Sequence, residues 1–139
     1  MNEYDSTALL KLCDLIRGEE EAQRWLFEND CRELAEFWDA LENLERSFKW
    51  LLENNHRELA ALVDAFHGND QAKLWLIKNG HRELAAVIDA SEGNKTAVDW
   101  LLTSGNKGWL AVAREIYLWH KKNEKKGFWK LFDFGNPFS

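Results

Sequence analysis

The chain has 139 residues, enough for one domain with a sizeable core, and its eight Trp, eight Phe and two Tyr against a single Pro exclude a disordered or linker-rich polymer. The formal charge of −6 is uneven: residues 117–139 hold five Lys against Glu124 and Asp133, a net +3, which leaves −9 (−6 minus +3) on residues 1–116. An acidic body repels phosphate backbones and so argues against a general nucleic-acid binder.

In chain order, "STALLKLCDLI" (6–16) predicts a first short helix, and residues 17–116 then fall into four units of 25 residues: 17–41, 42–66, 67–91 and 92–116. Trp25, Trp50, Trp75 and Trp100 share one column, each followed by Leu. A fixed period with aligned apolar columns is the signature of a stacked repeat array. Asp14 aligns with Asp39, Asp64 and Asp89, so the array opens on a half-repeat. Each unit predicts two short helices. Leu59, Leu62, Val63 and Phe66 sit at i, i+3, i+4 and i+7, as do Leu34, Phe37, Trp38 and Leu41, and Ala72, Trp75 and Leu76 give a shorter stripe. Alternation of period two is absent, so no sheet is expected.

Two junction columns punctuate every unit: Gly18, Asn43, Gly68 and Gly93, then Asp30, Asn55, Gly80 and Gly105. Gly, Asn and Asp are the residues that tolerate a positive φ, the conformation that commonly ends a helix. Tight turns and antiparallel neighbours follow. Ala35, Ala60 and Ala85 form a column that would let helices approach closely. The last repeat helix is expected to run on through Trp119 towards Lys126, stopping at Gly127, before an aromatic tail. The fold class is therefore all-α, about nine short helices in a solenoid-like stack of 25-residue helical hairpins, in a single domain spanning 1–139. Residues 117–139 read as a C-terminal cap, a clamp on a partner, or a basic-aromatic membrane anchor, with the cap favoured because an array needs its terminal apolar face covered.

"LAAVIDASEGNKTAVDWLLTSG" (84–105) resembles the helical core of an ankyrin repeat: helix, Ala-rich end, Gly-containing turn, then a second helix ending in a Leu run and Gly. The Thr-Pro-Leu-His opening is missing, and 25 residues leave no room for the β-hairpin fingers of a unit near ~33 residues. The resemblance implies an ankyrin-like helical stack and, by analogy, a protein-binding role.

The Trp column is expected to be core between units, stacked with Leu26, Leu51, Leu76 and Leu101. Cys31, His56, His81 and Asn106 share a column at a helix start, where Asn caps well and Glu33, Glu58 and Glu83 suit the positive helix end. Packed helices lie about 8–10 Å apart, a gap that side chains bridge only in part, and Asn106 is a poor transition-metal ligand, so a structural role is favoured over a metal site. Arg32, Arg57 and Arg82 with Asp39, Asp64 and Asp89 suggest an inter-repeat ion-pair ladder, broken by Lys107 and Arg114 in the fourth unit. Cys13 and Cys31 are too few for a disulfide framework and read as reduced thiols.

Gly-rich phosphate loops, His-Glu-x-x-His and Cys-x-x-Cys are absent, so no catalytic residue, cofactor or metal is assigned. No apolar run approaches ~20 residues, and "MNEYDSTALL" lacks a basic n-region, so a membrane location is disfavoured and the expected compartment is the cytoplasm. Variable columns on a constant frame distinguish partners in helical stacks. Gln23, Phe48, Lys73 and Val98 form one such column, and Arg24, Lys49, Leu74 and Asp99 the next. Phe48, Leu74 and Val98, with Trp129 and Phe132 of the tail, are the candidate partner contacts, although Phe48 and Leu74 fit packing against a neighbouring helix equally well. The expected function is a small non-catalytic adaptor whose protein partner carries a basic patch. The alternatives are a membrane-surface anchor built on the tail and a metal-dependent enzyme built on the Cys31, His56 and His81 column.

Overall fold

A computed structural model describes residues 4–125, and the side chains of residues 4–123. The described residues form nine α-helices and no strand: α1 (Ser6–Ile16), α2 (Glu21–Glu28), α3 (Arg32–Leu41), α4 (Glu45–Glu53), α5 (Arg57–Phe66), α6 (Asp70–Lys78), α7 (Arg82–Ser91), α8 (Lys95–Thr103) and α9 (Lys107–Lys125). Helices α3, α5, α7 and α9 begin at residues 32, 57, 82 and 107, one every 25 residues.

The turns explain why the helices are short. All eight junction residues have positive φ, from 59° at Asp30 to 101° at Gly18 and Gly68. After α1 the Gly18 N–H bonds to the Leu15 carbonyl and the Glu19 N–H to the Asp14 carbonyl, a Schellman termination. The same pair of bonds follows α3 (Asn43 to Ala40, Leu44 to Asp39), α5 (Gly68 to Ala65, Asn69 to Asp64) and α7 (Gly93 to Ala90, Asn94 to Asp89). The next helix then starts at once. Asn69 Oδ1 accepts from the Gln71 and Ala72 N–H groups, and Asn94 Oδ1 from that of Ala97. Helix α9 carries Leu118 where the others carry the positive-φ residue, and it continues to Lys125.

The odd-numbered helices hold most of the core. Each even-numbered helix α2, α4, α6 and α8 contributes only two buried residues, one of them Leu26, Leu51, Leu76 or Leu101, each at 0 % exposure. Burial of each such Leu stabilises the fold by about 1.5–3 kcal/mol. Ala35, Ala60 and Ala85 are buried where close approach is needed. The Trp column was expected to be core, and here the structure differs. Trp25, Trp50, Trp75 and Trp100 are half-buried against the core surface, because the neighbouring Leu already occupies the inward direction.

Successive odd-numbered helices touch, and α1 also packs on α9, so the five close on themselves. Leu9 of α1 meets Gly108, Tyr4 lies edge-on to Trp109 with ring centroids 6.2 Å apart, and Arg17 Nη1 donates to Glu115 Oε2 at 2.7 Å. Two departures of the fourth unit from the common pattern, Gly108 and Trp109, thus meet Leu9 of α1 and Tyr4 just before it. Within the described residues, α9 covers the flank of α1 that an open array would leave bare. Residues 126–139, the core of the expected aromatic cap, lie outside the described residues.

The expected Arg–Asp ladder is corrected. Arg32 pairs with Glu36 at 2.9 Å on its own helix, while Asp89 pairs with Lys73 at 2.6 Å and Asp14 with Arg17. The guanidinium groups turn to aromatic faces instead: Arg32 lies 4.6 Å from the ring centre of Trp50 and Arg82 lies 4.9 Å from that of Trp100. A half-exposed indole offers a cation–π partner that a carboxylate at the far end of the helix cannot match in reach.

Candidate interaction surface

On each even-numbered helix the residue after the buried Leu points outward. In all four helices it is large and apolar: Phe27, Leu52, Ile77 and Leu102, exposed by 42, 46, 46 and 47 %. Each is still about half exposed, and the recurrence of an apolar side chain at all four places gives an outward apolar column, the kind of surface that a partner covers. Leu74 is 46 % exposed on the same helix as Ile77 and three residues before it, so the two share a helical face. Sequence reasoning picked out Leu74 but missed this column, although the aligned "WLF", "WLL", "WLI" and "WLL" triplets carried the signal.

The Trp beside each column residue is held by its neighbours. The His56 ring stacks on Trp50 at 5.6 Å and 12°, and His81 on Trp75 at 6.0 Å and 21°. Both histidines stand at the N-cap positions of α5 and α7, as their column implied, but neither side chain makes a capping hydrogen bond. Their rings are used to stack on the preceding indole. Cys31 occupies the same position before α3. No group of three or more His, Cys, Asp or Glu side chains among the described residues is placed to hold a metal ion. The Cys13 thiol is pushed up to about 12 by burial and by nearby Glu115, which leaves it un-ionised at neutral pH.

Carboxylates gather where α3, α5 and α7 end. Burial raises the pKa of Asp39, Glu42, Asp64 and Glu92 above the ordinary carboxylate range. Glu36 adds to the shift at Asp39, and Asp39 and Asp89 add to those at Glu42 and Glu92. Helix C-termini also bear partial negative charge, which adds to that of these carboxylates.

Of the sequence candidates, Phe48 and Val98 are half-buried and pack against the core, whereas Leu74 is exposed. Phe48 and Val98 occupy equivalent places between consecutive odd-numbered helices, and Leu74 faces away from them. Trp129 and Phe132 lie outside the described residues. No helix among the described residues is long and apolar enough to cross a membrane. Compared with known proteins, the chain matches no family model, no curated protein and no solved structure.

Proposed function

We propose that the chain is a non-catalytic, cytoplasmic protein-binding module, a single domain in which a half-repeat and four 25-residue helical hairpins present one outward apolar column to a partner protein. The observation that carries this reading is the recurrence of Phe27, Leu52, Ile77 and Leu102 at nearly equal exposure on four helices. Large apolar side chains repeated on a surface form the buried centre of an interface, and the surrounding charges form its rim. The acidic ends of α3, α5 and α7 favour a partner with a basic patch and would speed its approach at low salt. Leu74 extends the column on α6, which makes α6 its centre.

The test is the double variant Leu52→Asp/Ile77→Asp. Both residues are exposed, so the helical content and melting temperature should stay near those of the parent. Capture and cross-linking of the native partner should be lost, and added salt should weaken the parent's capture. Undiminished capture by the folded double variant would remove the outer column from the interface.

A further inference from the structure

Each pair of consecutive odd-numbered helices, with the even-numbered helix between them, frames a notch whose lining recurs along the chain. Between α3, α4 and α5 it is lined by Ala40, Phe48, Val63, Asp64 and His67, and the cavity left is about 180 Å³. Fifty residues on, between α7, α8 and α9, the same places hold Ala90, Val98, Ala113, Arg114 and Tyr117, and the cavity is about 290 Å³. The chain treats the other two notches differently. Lys73 stands in the column of Phe48 and Val98, and it reaches Asp89 at 2.6 Å across the α5–α6–α7 notch. Trp38 stands in the column of Val63 and Ala113, beside a polar cleft that opens towards α9. Only the last notch combines the small side chains Val98 and Ala113 at the two filling positions.

We propose that this notch between α7, α8 and α9 binds a phenyl-sized apolar side chain of a partner peptide that carries a carboxylate beside it. Phe48 supplies the argument for size, since a phenyl ring occupies the equivalent place between α3 and α5 within the same backbone frame. Arg114 supplies the argument for charge. It stands in the column of Asp39, Asp64 and Asp89, and its side chain is 73 % exposed. Its nearest carboxylate, Glu115 at 3.9 Å, is already held by Arg17 at 2.7 Å. Tyr117, 37 % exposed, flanks the opening. The site deepens the protein-binding reading by giving one contact its chemistry, and it places a cation where the other units carry Asp39, Asp64 and Asp89.

The probe is 3-phenylpropionate, a phenyl group on a short arm ending in a carboxylate, titrated into the full chain and followed by amide and methyl chemical shifts. Saturable shifts are expected at Val98, Leu110, Ala113 and Tyr117, with a dissociation constant on the order of millimolar for so small a ligand. Val98→Phe places the ring in the notch from within and should abolish the shifts while the melting temperature holds or rises. Ala113→Val, which copies Val63, should weaken binding by narrowing the floor and gives a second reading should Val98→Phe not fold. Arg114→Gln should bind the probe about threefold more weakly, yet bind neutral 3-phenylpropanamide as the parent does. Absence of binding, shifts centred elsewhere, or undiminished binding by folded Val98→Phe would overturn the proposal. If partner capture still depended on Leu52 and Ile77, that result would leave the outer column standing and remove the notch alone.

Discussion

Arg17 donates from Nη1 to Glu115 Oε2 at 2.7 Å, a bond between residues 98 positions apart that ties the C-terminal end of α1 to the middle of α9. Burial and hydrogen bonding act on the two partners unequally, since the Glu115 side chain is 9 % exposed and that of Arg17 is 45 %. Glu115→Ala should therefore lower the unfolding free energy by about 1–3 kcal/mol in urea denaturation. Arg17→Ala should cost at least as much, because it takes the closest donor from a buried carboxylate while the guanidinium itself is partly solvated. A double-mutant cycle should give a coupling of about 1 kcal/mol. Additivity within about 0.3 kcal/mol would show that the pair does not hold the two ends together.

Two glycines test two different constraints. At Gly108 a Cβ would meet Leu9 Cδ1 at 2.5 Å and Leu9 Cβ at 3.3 Å, whereas at Gly80, φ 83°, a Cβ meets nothing within 4 Å. Gly108→Ala should destabilise by about 1–2 kcal/mol even though Ala is the better helix former, because Leu9 is buried and must give way. The added Leu9→Ala change should make the second substitution less than additive. Gly80→Ala should cost about 1–2 kcal/mol from backbone strain alone, with no partner substitution able to relieve it. Hydrogen exchange in α1 should accelerate for Gly108→Ala in preference to other helices. Uniform acceleration in all nine would count against a closure role.

Neighbours on α6 should behave as opposites. Leu76 is fully buried and Ile77 is 46 % exposed. Leu76→Ala should cost about 2–5 kcal/mol, and Ile77→Ala should stay within about 0.5 kcal/mol of the parent. Denaturation midpoints measure both. A large loss for Ile77→Ala would mean that the outer column is structural.

Acid titration should expose two opposing sets of groups. Burial pushes the His120 imidazole down from 6.5 to about 4. Across that window the unfolded chain binds the proton first, so stability falls as pH falls, by about 1–2 kcal/mol after allowance for solvent screening. Asp39, Glu42, Asp64 and Glu92 work the other way. Their folded-state values are raised, so acidification through those values relieves the penalty on partly desolvated charges and stabilises the fold. His120→Gln should abolish the loss between pH 6.5 and 5 and leave a flat or rising profile towards acid. An unchanged fall in the variant would assign the loss to other groups.

The stacked rings show how far the site was legible. The histidine column was placed at helix starts from spacing alone, and His56 and His81 stand there. Their use could not be read, because Trp50 and Trp75 meet them only once the intervening turn brings one helix back across the next. The same holds for Arg32, which pairs with Glu36 of its own helix and lies over the Trp50 ring in place of an Asp of matching period. Periodicity identifies which residues recur together, and it is silent on which way each side chain turns.

By itself the sequence determined what is local: nine helices among the described residues, their 25-residue step, and the eight turn residues that adopt positive φ. Those features depend on backbone sterics and on stripes within one helix, so each unit states them without reference to the others. Tertiary structure alone decided the rest. It put Leu rather than Trp innermost, left one notch of four with small apolar filling residues, and brought α1 onto α9. Closure depends on small rotations accumulated from helix to helix, and no single unit encodes that sum. Gly108 stands where the other units carry Glu33, Glu58 and Glu83, and its reason, Leu9, lies at the other end of the chain.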